Sequence, residues 1–365
     1  MEKYSGKPKL IKKVNQSLIK NVISQQGPIS KPEISKICNL SLPTVNKTVD
    51  ILVNKGVVKK SQKDIKVEGS GKRPIFYEIN SENAYIIALY IEDRKVEGCL
   101  VDATGGIRLQ KELYKMQNVN LDRKNDFYNY ILELIEGVED KELIKAIAVG
   151  MPGVVDEEGI VTETPNIPEW EGINIKSEIE KFFNINAYIE NDANLTAIGI
   201  YYENYKEDYN DLIYMYLGEG IGAGIIIDGK LHKGKSGFAG EISYMITEHK
   251  MEDQKETLYK GCFEKEWFAI YTNSTLNEKE RKRLLLNKVT YALVNAISLL
   301  NTEIVVIRSP YFESKDLKLL ENNVCNYIGE KNCPLIKYID DLNIGLKGAI
   351  RLGLLNLESQ IHLIL

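Results

Sequence analysis

The sequence predicts an α/β protein in which an N-terminal winged helix-turn-helix precedes a larger body of two related lobes. Three observations carry this prediction. Residues 1–80 contain 16 Lys+Arg against 6 Asp+Glu, a local balance of +10, although the whole chain carries −5. Three short helical patterns and then two strand patterns follow each other within that basic segment. From residue 85 onwards strands alternate with helices, and a strand hairpin occurs twice.

Length and composition limit the classes of protein that fit. At 365 residues the chain is too long for one ordinary core, so two or three domains are expected. The hydrophobic fraction of 44% is typical of a soluble globular protein, and no apolar run approaches the roughly 20 residues that span a bilayer. The N-terminus lacks the apolar core of a signal peptide. We expect a cytoplasmic protein with no membrane partner.

The cysteines give no disulfide or metal pattern. They are Cys38, Cys99, Cys262, Cys325 and Cys333, with no CxxC pair among them. This spacing argues against a disulfide framework and against a cysteine-rich zinc site. We expect each to be a small, buried or half-buried apolar side chain.

The first 56 residues have the helix order of a helix-turn-helix. An amphipathic pattern ends at Gly27-Pro28. Ser30 and Glu33 then form a capping box for a short second helix, and Ser41 can cap a third. The apolar positions at helical spacing are Ile11, Val14, Leu18 and Val22 in the first helix and Val45, Val49 and Leu52 in the third.

The exposed start of the third helix supplies candidate DNA contacts. In a helix-turn-helix, the N-terminal part of this helix enters the major groove. Asn, Thr and Lys side chains have the donors and acceptors to read base edges there or to grip phosphates. The predicted contacts are Ser41, Pro43, Thr44, Asn46 and Lys47.

Two strand patterns after the third helix predict the wing. Residues 56–60 and 74–79 form a hairpin whose polar loop ends at Lys72 and Arg73. Two adjacent cations on a flexible tip suit the backbone or the minor groove of DNA, so both are predicted DNA contacts. We place this DNA-binding domain at residues 1–80. In the alternative interpretation the charges are a solvated face and the helices form a protein-interaction module.

The body shows two strand hairpins. Residues 85–91 and 96–102 form the first, closed by the turn-rich segment 104–106; residues 213–217 and 223–228 form the second. Strand-helix alternation follows each hairpin, which predicts a duplicated α/β lobe with a ligand cleft between the copies. Further expected elements are buried parallel strands at 146–150 and 304–307 and a helix beneath the second lobe at 284–300.

A glycine-rich segment bears on whether the chain uses a nucleotide. Residues 218–224 read Gly-Glu-Gly-Ile-Gly-Ala-Gly, the spacing of a turn that cradles phosphates with backbone N–H groups. Glu219 adds negative charge where such an anion would lie. The segment is therefore ambiguous by itself.

Five motifs follow one another in the body: 150–156, Pro165-Asn166 with Trp170, 190–194, 218–224 and 239–243. In this order they resemble the ROK family, which is named for repressors, open reading frames and sugar kinases. A winged helix before a sugar-kinase-like body is the layout of its repressor branch. The resemblance implies the two-lobed, actin-like sugar-kinase fold for residues 81–365, with lobes at approximately 81–185 and 186–345 and a C-terminal helix returning to the first lobe.

The resemblance also implies a sugar site. Asp192 matches the aspartate that the family's kinases use as general base on the sugar hydroxyl. Carboxylates and amides suit the recognition of polyols, and further positions match residues that hydrogen-bond the sugar. Without the family, Glu241 would be a helix N-terminal acid and Asn166 a turn residue. The predicted sugar-binding residues are Asn166, Asn191, Asp192, Glu241, Tyr244 and Glu264.

The implied ATP side departs from the family pattern. An Asp-x-Gly-Gly-Thr loop is replaced by Tyr-Ile-Glu-Asp-Arg at 90–94, which puts Glu92 and Asp93 in place of the glycines. Glu219 replaces a threonine, and Arg308-Ser309 replaces a late Gly-Gly. Carboxylates within about 5 Å of a triphosphate would cost several kcal/mol. We predict that ATP binding is lost and that Asp192 is a vestigial base without a catalytic role.

The family's zinc cluster is reduced to Gly-Cys-Phe-Glu at 261–264, and Tyr244 stands where many members carry a histidine. One cysteine cannot hold a structural zinc ion. His249 lies in a charged run and is expected to be exposed. We therefore predict no metal and no other cofactor.

These inferences combine into a sugar-responsive repressor of a carbohydrate-utilisation operon, which binds operator DNA and a monosaccharide. Xylose is the leading candidate, because the histidine and zinc cluster associated with hexosamines are missing. A homodimer or dimer of dimers is expected, since a two-fold pair reads a palindrome. The alternatives are an ATP-dependent sugar kinase with an appended DNA-binding domain, and a body that serves only to dimerise.

Overall fold

The computed structural model describes residues 8–63, 74–92, 95–115, 123–164, 167–218, 220–247 and 261–364. The elements of its N-terminal unit are α1 (Pro8–Gln26), β1 (Ile29–Ser30), α2 (Lys31–Cys38), α3 (Leu42–Asn54), β2 (Val58–Lys60) and β3 (Phe76–Ile79). The three helices pack with a sheet of order β1-β3-β2, in which β2 and β3 pair antiparallel. The predicted winged helix-turn-helix is confirmed, although the wing residues 64–73 lie outside the described ranges.

Local hydrogen bonds mark where the helices of this unit begin. Glu33 Oε2 accepts the backbone N–H of Ser30 at 2.9 Å and its hydroxyl at 2.6 Å, as the predicted capping box requires. Ser41 Oγ accepts the N–H of Thr44 at 3.4 Å and so caps α3. The buried stripe of α3 consists, as predicted, of Val45, Val49 and Leu52.

The predicted apolar stripe of α1 is wrong in its first half. Only Val22 is buried; Ile11, Val14 and Leu18 are 55%, 56% and 40% exposed, and the helix buries Ile23 instead. The buried face of α1 runs through Gln16, Ile19 and Ile23, so the helix is rotated relative to the predicted stripe. Helical spacing alone therefore does not identify the face that meets the core.

The first lobe of the body is built on a five-stranded sheet. Its elements are β4 (Tyr85–Glu92), β5 (Lys95–Asp102), β6 (Ile107–Lys115), α4 (Arg123–Ile135), β7 (Ile144–Met151), β8 (Val154–Val155), β9 (Val161–Glu163), α5 (Ile175–Phe183) and β10 (Asn186–Asn191). The strand order is β10-β7-β4-β5-β6, in which β4, β5 and β6 form an antiparallel meander and β7 and β10 run parallel to β4. Strands β8 and β9 pair separately.

The second lobe repeats this topology. Its elements are α6 (Asp192–Ile200), β11 (Leu212–Leu217), β12 (Ile221–Ile227), β13 (Lys230–Leu231), α7 (Cys262–Tyr271), α8 (Glu278–Leu300), β14 (Ile304–Arg308), α9 (Leu317–Ile328), β15 (Leu335–Tyr338) and α10 (Ile344–Ile364). The order β13-β12-β11-β14-β15 again joins an antiparallel meander to two parallel strands. The two sheets thus have the relation expected of a duplicated lobe.

One predicted turn connects different strands from those expected. The segment 104–106 joins β5 to β6, where Asp102 Oδ1 accepts the N–H groups of Thr104 and Gly106. It does not close the β4–β5 hairpin, in which Glu92 at the end of β4 pairs with Lys95 at the start of β5. Strand β6 was not anticipated, because its sequence mixes charged residues into the strand.

The cysteines depart from expectation at one pair. Cys325 near the end of α9 and Cys333 form a disulfide, with their Cα atoms 5.3 Å apart. Gly329, at a φ of +80°, reverses the chain between them, so that two cysteines eight residues apart meet. Cys38 and Cys99 are buried and Cys262 is half-buried, as predicted.

Helices α6 and α10 lie at the centre of the body. α6 is buried along almost its whole length, and α10 packs on α6 and on strands β4 and β7 of the first sheet. A β-carbon on Gly348 of α10 would lie 1.8 Å from the Leu195 carbonyl oxygen, and one on Gly199 of α6 would lie 2.3 Å from that of Ile344. The helices thus cross in backbone contact. None of the described helices is long and apolar enough to cross a membrane.

We expect Gly348→Ala to destabilise the body by about 1–3 kcal/mol, because the new methyl group overpacks a backbone contact that cannot yield. Chemical denaturation of the full chain, followed by circular dichroism, measures the change. Without the contact, alanine would stabilise the helix by about 1 kcal/mol. An unchanged or higher stability of the variant would therefore disprove the crossing.

Candidate functional site

A cavity of about 140 Å³ lies between the two sheets, where β4 and β10 of the first lobe and β11 of the second end. In open α/β sheets the carboxyl ends of the strands are where ligands bind. Both lobes contribute polar side chains. The carboxylates that line the cavity are Glu92, Glu163, Asp192, Glu241 and Glu264, and the tyrosines are Tyr90, Tyr214, Tyr216 and Tyr244.

The start of α6 presents two predicted sugar-binding residues to this cavity. Asn191 is the N-cap: its Oδ1 accepts the Asn194 N–H at 3.0 Å, and its Nδ2 donates to the Gly153 carbonyl at 2.9 Å. Asp192 Oδ1 accepts the Ala193 N–H at 2.8 Å. A carboxylate in the first turn is favoured by the helix dipole. The fold therefore fixes the orientation of both side chains before any ligand binds.

Glu190, at the end of β10, stabilises the start of α6 through hydrogen bonds to Asn191 and Asn194. Its carboxylate is buried and accepts from Lys233 Nζ at 3.0 Å, from Asn194 Nδ2 at 3.0 Å and from the N–H of Asn191 at 3.0 Å. Lys233 follows β13 of the second lobe, so the ion pair joins the lobes behind the cavity. Glu190 thus fixes the backbone at Asn191 and the side chain of Asn194.

Two further predicted residues come from the second lobe. Glu241 precedes a short 3₁₀ turn at Ile242–Tyr244, and Glu264 lies in the first turn of α7 with 8% exposure. Burial, and then the charges of Glu163 and Glu264, raise the pKa of Glu241 to about 7. Near neutral pH this carboxyl can therefore both accept and donate hydrogen bonds.

Backbone contact with the 3₁₀ turn positions the start of α7, and with it Glu264. A β-carbon on Gly261 would lie 2.1 Å from the Ser243 carbonyl oxygen and 2.4 Å from the Tyr244 nitrogen. The chain before α7 therefore rests directly on the 3₁₀ turn that follows Glu241. Backbone contact brings Glu241 and Glu264 together.

Glu163, at the end of β9, was missed by sequence reasoning. Its Oε2 accepts the hydroxyl of Tyr244 at 2.8 Å, and this hydrogen bond crosses from the first lobe to the second. Glu163 stands two residues before Pro165-Asn166, but it belongs to no motif. An acid beside a predicted sugar-binding motif was the only available signal.

A third link between the lobes involves Glu92, which also lines the cavity. Arg308 Nη1 lies 3.0 Å from Glu92 Oε1, so the ends of β14 and β4 are joined by an ion pair. The guanidinium also lies over the Tyr216 ring, 5.6 Å from its centroid. Burial disfavours the charge of Arg308, but Glu92 and the neighbouring tyrosines together outweigh burial and raise the pKa of Arg308. Neither residue was predicted to pair.

The glycine-rich segment has a packing role. Ser309 Oγ donates to the Leu217 carbonyl at 2.7 Å just before it, and a β-carbon on Gly224 would lie 2.6 Å from the Ala193 carbonyl oxygen of α6. Gly224 is therefore required for α6 to approach β12. Glu219 lies outside the described ranges.

The structure brings five of the six predicted sugar-binding residues to one cavity. Asn166 lies outside the described ranges, and the binding roles of all six stay predictions. Within the described part of the chain, no cluster of three or more His, Cys, Asp and Glu side chains could hold a metal ion. The five residues in the cavity are Asn191, Asp192, Glu241, Tyr244 and Glu264.

Five of the seven predicted DNA contacts lie at the start of α3. Ser41, Pro43 and Lys47 are exposed, whereas Thr44 and Asn46 are half-buried. The Ser41 and Thr44 hydroxyl oxygens are 2.8 Å apart, so both take part in the cap. Their readout of DNA stays a prediction. Lys72 and Arg73 of the wing lie outside the described ranges.

Known proteins match both parts of the chain. The model of the ROK family matches residues 86–267, and that of winged helix-turn-helix DNA-binding domains matches residues 18–59. The xylose repressor of Caldicellulosiruptor bescii is 32% identical over 245 residues, which are 66% of this chain and 60% of that protein. An uncharacterized Clostridium perfringens protein is 32% identical over 62% of this chain and 87% of its own length.

A solved structure resembles nearly the whole fold. The crystal structure of a ROK family transcriptional regulator, a homolog of the E. coli MLC protein, aligns with a TM-score of 0.74 over 97% of this chain and 98% of that one, at 18% identity. At that identity the likeness shows the fold alone. Together with the two family matches and the Clostridium relative, it leads to one conclusion: this chain belongs to the ROK family and carries a winged helix-turn-helix at its N-terminus.

Proposed function

We propose that this protein is a sugar-responsive transcriptional repressor without kinase activity. One observation carries the proposal: a winged helix-turn-helix precedes a cleft whose implied sugar end keeps its polar side chains, while its implied nucleotide end is crossed by an ion pair. The helix-turn-helix binds operator DNA, and a monosaccharide binds between the lobes. Similarity to a xylose repressor, and Tyr244 in place of a histidine, support xylose as the sugar.

The proposal that a monosaccharide binds rests on the chemistry of the cavity. Each sugar hydroxyl is one donor and two acceptor sites, and carboxylates and amides match both. Asn191 and Asp192 are held by the N-cap of α6, and Glu241 and Glu264 by the turn on which α7 rests. Preorganised side chains lose little conformational entropy on binding. The site is therefore suited to a small polyol.

The absence of kinase activity is proposed from Glu92 and Arg308. In the family's kinases the ends of these two strands approach ATP, and here they bind each other. A polyphosphate would have to separate a partly buried ion pair and then lie beside the Glu92 carboxylate, which repels it. The rival, a sugar kinase with an appended DNA-binding domain, is favoured by Asp192 in the cavity. ATP-dependent phosphorylation of D-xylose or D-glucose that Asp192→Asn abolishes would establish the rival.

Helices α6 and α10 offer a route from sugar to DNA. α6 carries Asp192 at its start and crosses α10 in backbone contact. Further along α10, Leu354 and Leu357 face a small cavity that Lys20 and Val57 of the winged helix-turn-helix also line. A shift of α6 on sugar binding would therefore reach the DNA-binding unit through α10. In the homodimer that we propose, such a shift changes the spacing of two DNA-binding units.

The proposed function makes three predictions, of which the first concerns DNA. Asn46→Ala should weaken binding to the protein's own upstream DNA by about tenfold to hundredfold, and should leave binding to unrelated DNA unchanged, because an amide reads base edges. Lys47→Ala should weaken both, because it contacts phosphate. A mobility-shift assay measures the affinities, with Lys230→Ala, an exposed lysine of β13, as control. Equal loss on both DNAs for Asn46→Ala would contradict base readout.

The second prediction concerns the sugar. A bound sugar at 100 times its Kd should stabilise the protein by about 2.7 kcal/mol. Asp192→Asn should weaken that sugar about tenfold to hundredfold, since a hydrogen bond to a charged group is lost while the amide oxygen can still accept the Ala193 N–H. Calorimetry with D-xylose and D-glucose measures Kd, and Asp208→Asn, at an exposed position, is the control. Unchanged sugar affinity in Asp192→Asn would remove Asp192 from the site.

The third prediction concerns pH. The pKa of Glu241 rises from 4.5 to about 7 on folding, so its contribution to stability is full below pH 4.5 and is lost as pH rises through 7. Glu241→Gln should therefore be more stable than wild type at pH 8, by on the order of 3 kcal/mol, and nearly equal at pH 5. Thermal denaturation without sugar measures the difference. The exposed Glu139→Gln should show no such pH dependence, and a stability gap that is the same at both pH values would refute the raised pKa.

A further inference from the structure

We propose that Glu163, held by Tyr244, is a specificity-determining residue through which the cavity accepts uncharged sugars and rejects phosphorylated ones. The inference rests on the proposed sugar-sensing function and extends it. It means that the protein senses a sugar before any kinase has added a phosphate group.

The position of the pair supports this role. Glu163 ends β9 on the first lobe, and Tyr244 ends the 3₁₀ turn on the second. Both line the cavity, and their 2.8 Å hydrogen bond fixes the carboxylate at its wall. The Tyr244 ring also packs against Phe238, with ring centroids 5.2 Å apart. The carboxylate therefore cannot turn away without giving up a hydrogen bond between the lobes.

The charge of the wall supports a choice between neutral and anionic ligands. Five carboxylates line the cavity, and the described lining residues include no Lys, Arg or His. Two cations near the cavity are already paired: Arg308 with Glu92, which itself lines the cavity, and Lys233 with Glu190. A phosphate group is bound by Arg, Lys or clustered N–H donors. At the start of α6, where such donors lie, the N–H groups of Ala193 and Asn194 already donate to Asp192 and Asn191.

Hydrogen-bond chemistry points the same way. Sugar hydroxyls can donate to Glu163, Glu241 and Glu264, whereas the ionised phosphate group of an ester brings only acceptors to these carboxylates. Burial, and then its hydrogen bond to Glu163, raise the pKa of Tyr244, so this tyrosine stays a neutral donor. An acceptor-rich wall thus combines attraction for a polyol with repulsion of its phosphate ester.

The test compares each free sugar with its own ester on the full chain. Calorimetry with D-xylose and D-xylose 1-phosphate, and with D-glucose and D-glucose 6-phosphate, gives two ratios of Kd. For the pair whose free sugar binds, we expect the ester to bind at least 100-fold more weakly. Glu163→Gln keeps the shape and an acceptor for Tyr244 but removes the charge. Glu163→Gln should reduce the ratio of the ester Kd to the sugar Kd about tenfold or more. The exposed Glu142→Gln should leave this ratio unchanged.

Tyr244→Phe tests whether the position of the Glu163 carboxylate matters in addition to its charge. Loss of the hydroxyl frees the Glu163 carboxylate to move, so this variant should narrow the ratio less than Glu163→Gln does. Circular dichroism confirms that each variant is folded. An ester that binds as tightly as its sugar, or a ratio that Glu163→Gln leaves unchanged, would overturn this inference and leave the proposed function standing. Failure of every sugar and ester to bind would overturn both.

Discussion

The packing of α6 is the constraint on which the rest of the body depends. This helix lies between the two sheets, and eight of its nine residues are buried. It can lie there only because Gly224 of β12 and Gly348 of α10 leave room for its backbone. This packing puts the first turn of α6 in the cleft. Asn191 and Asp192 owe their positions to this packing rather than to contacts with each other, so the core and the candidate site are built by the same element.

The cleft is divided by the way its charges are paired. At one end Glu92 and Arg308 neutralise each other, and behind the cavity Glu190 and Lys233 do the same. Glu163, Glu241 and Glu264 face one another without a cation among the described lining residues. Like charges this close are unfavourable, and the raised pKa of Glu241 is one result. A ligand with hydroxyl donors would reduce the repulsion between these carboxylates by hydrogen-bonding to them.

Local signals were read correctly from the sequence, whereas long-range contacts were not. The Ser30–Glu33 capping interaction spans three residues, and the buried stripe of α3 follows from helical spacing. The stripe of α1 failed because two faces of that helix are apolar and only the partner helices decide which is buried. The Cys325–Cys333 disulfide depends on the chain reversal at Gly329. The Glu92–Arg308 pair joins residues 216 positions apart, and no local pattern records such a distance.

Periodicity, capping and turn residues predicted the winged helix-turn-helix and the duplicated lobe, because neighbouring residues encode these features. Asn191, Asp192, Glu241 and Glu264 were predicted from the resemblance to the ROK family. The folded structure alone reveals that Glu163 joins the wall of the cavity, that Glu92 and Arg308 form an ion pair between the lobes, and that the chain before α7 rests on the turn after Glu241. The physical reason is that each of these depends on how two sheets are placed across a buried helix, and that placement is set by packing over the whole body.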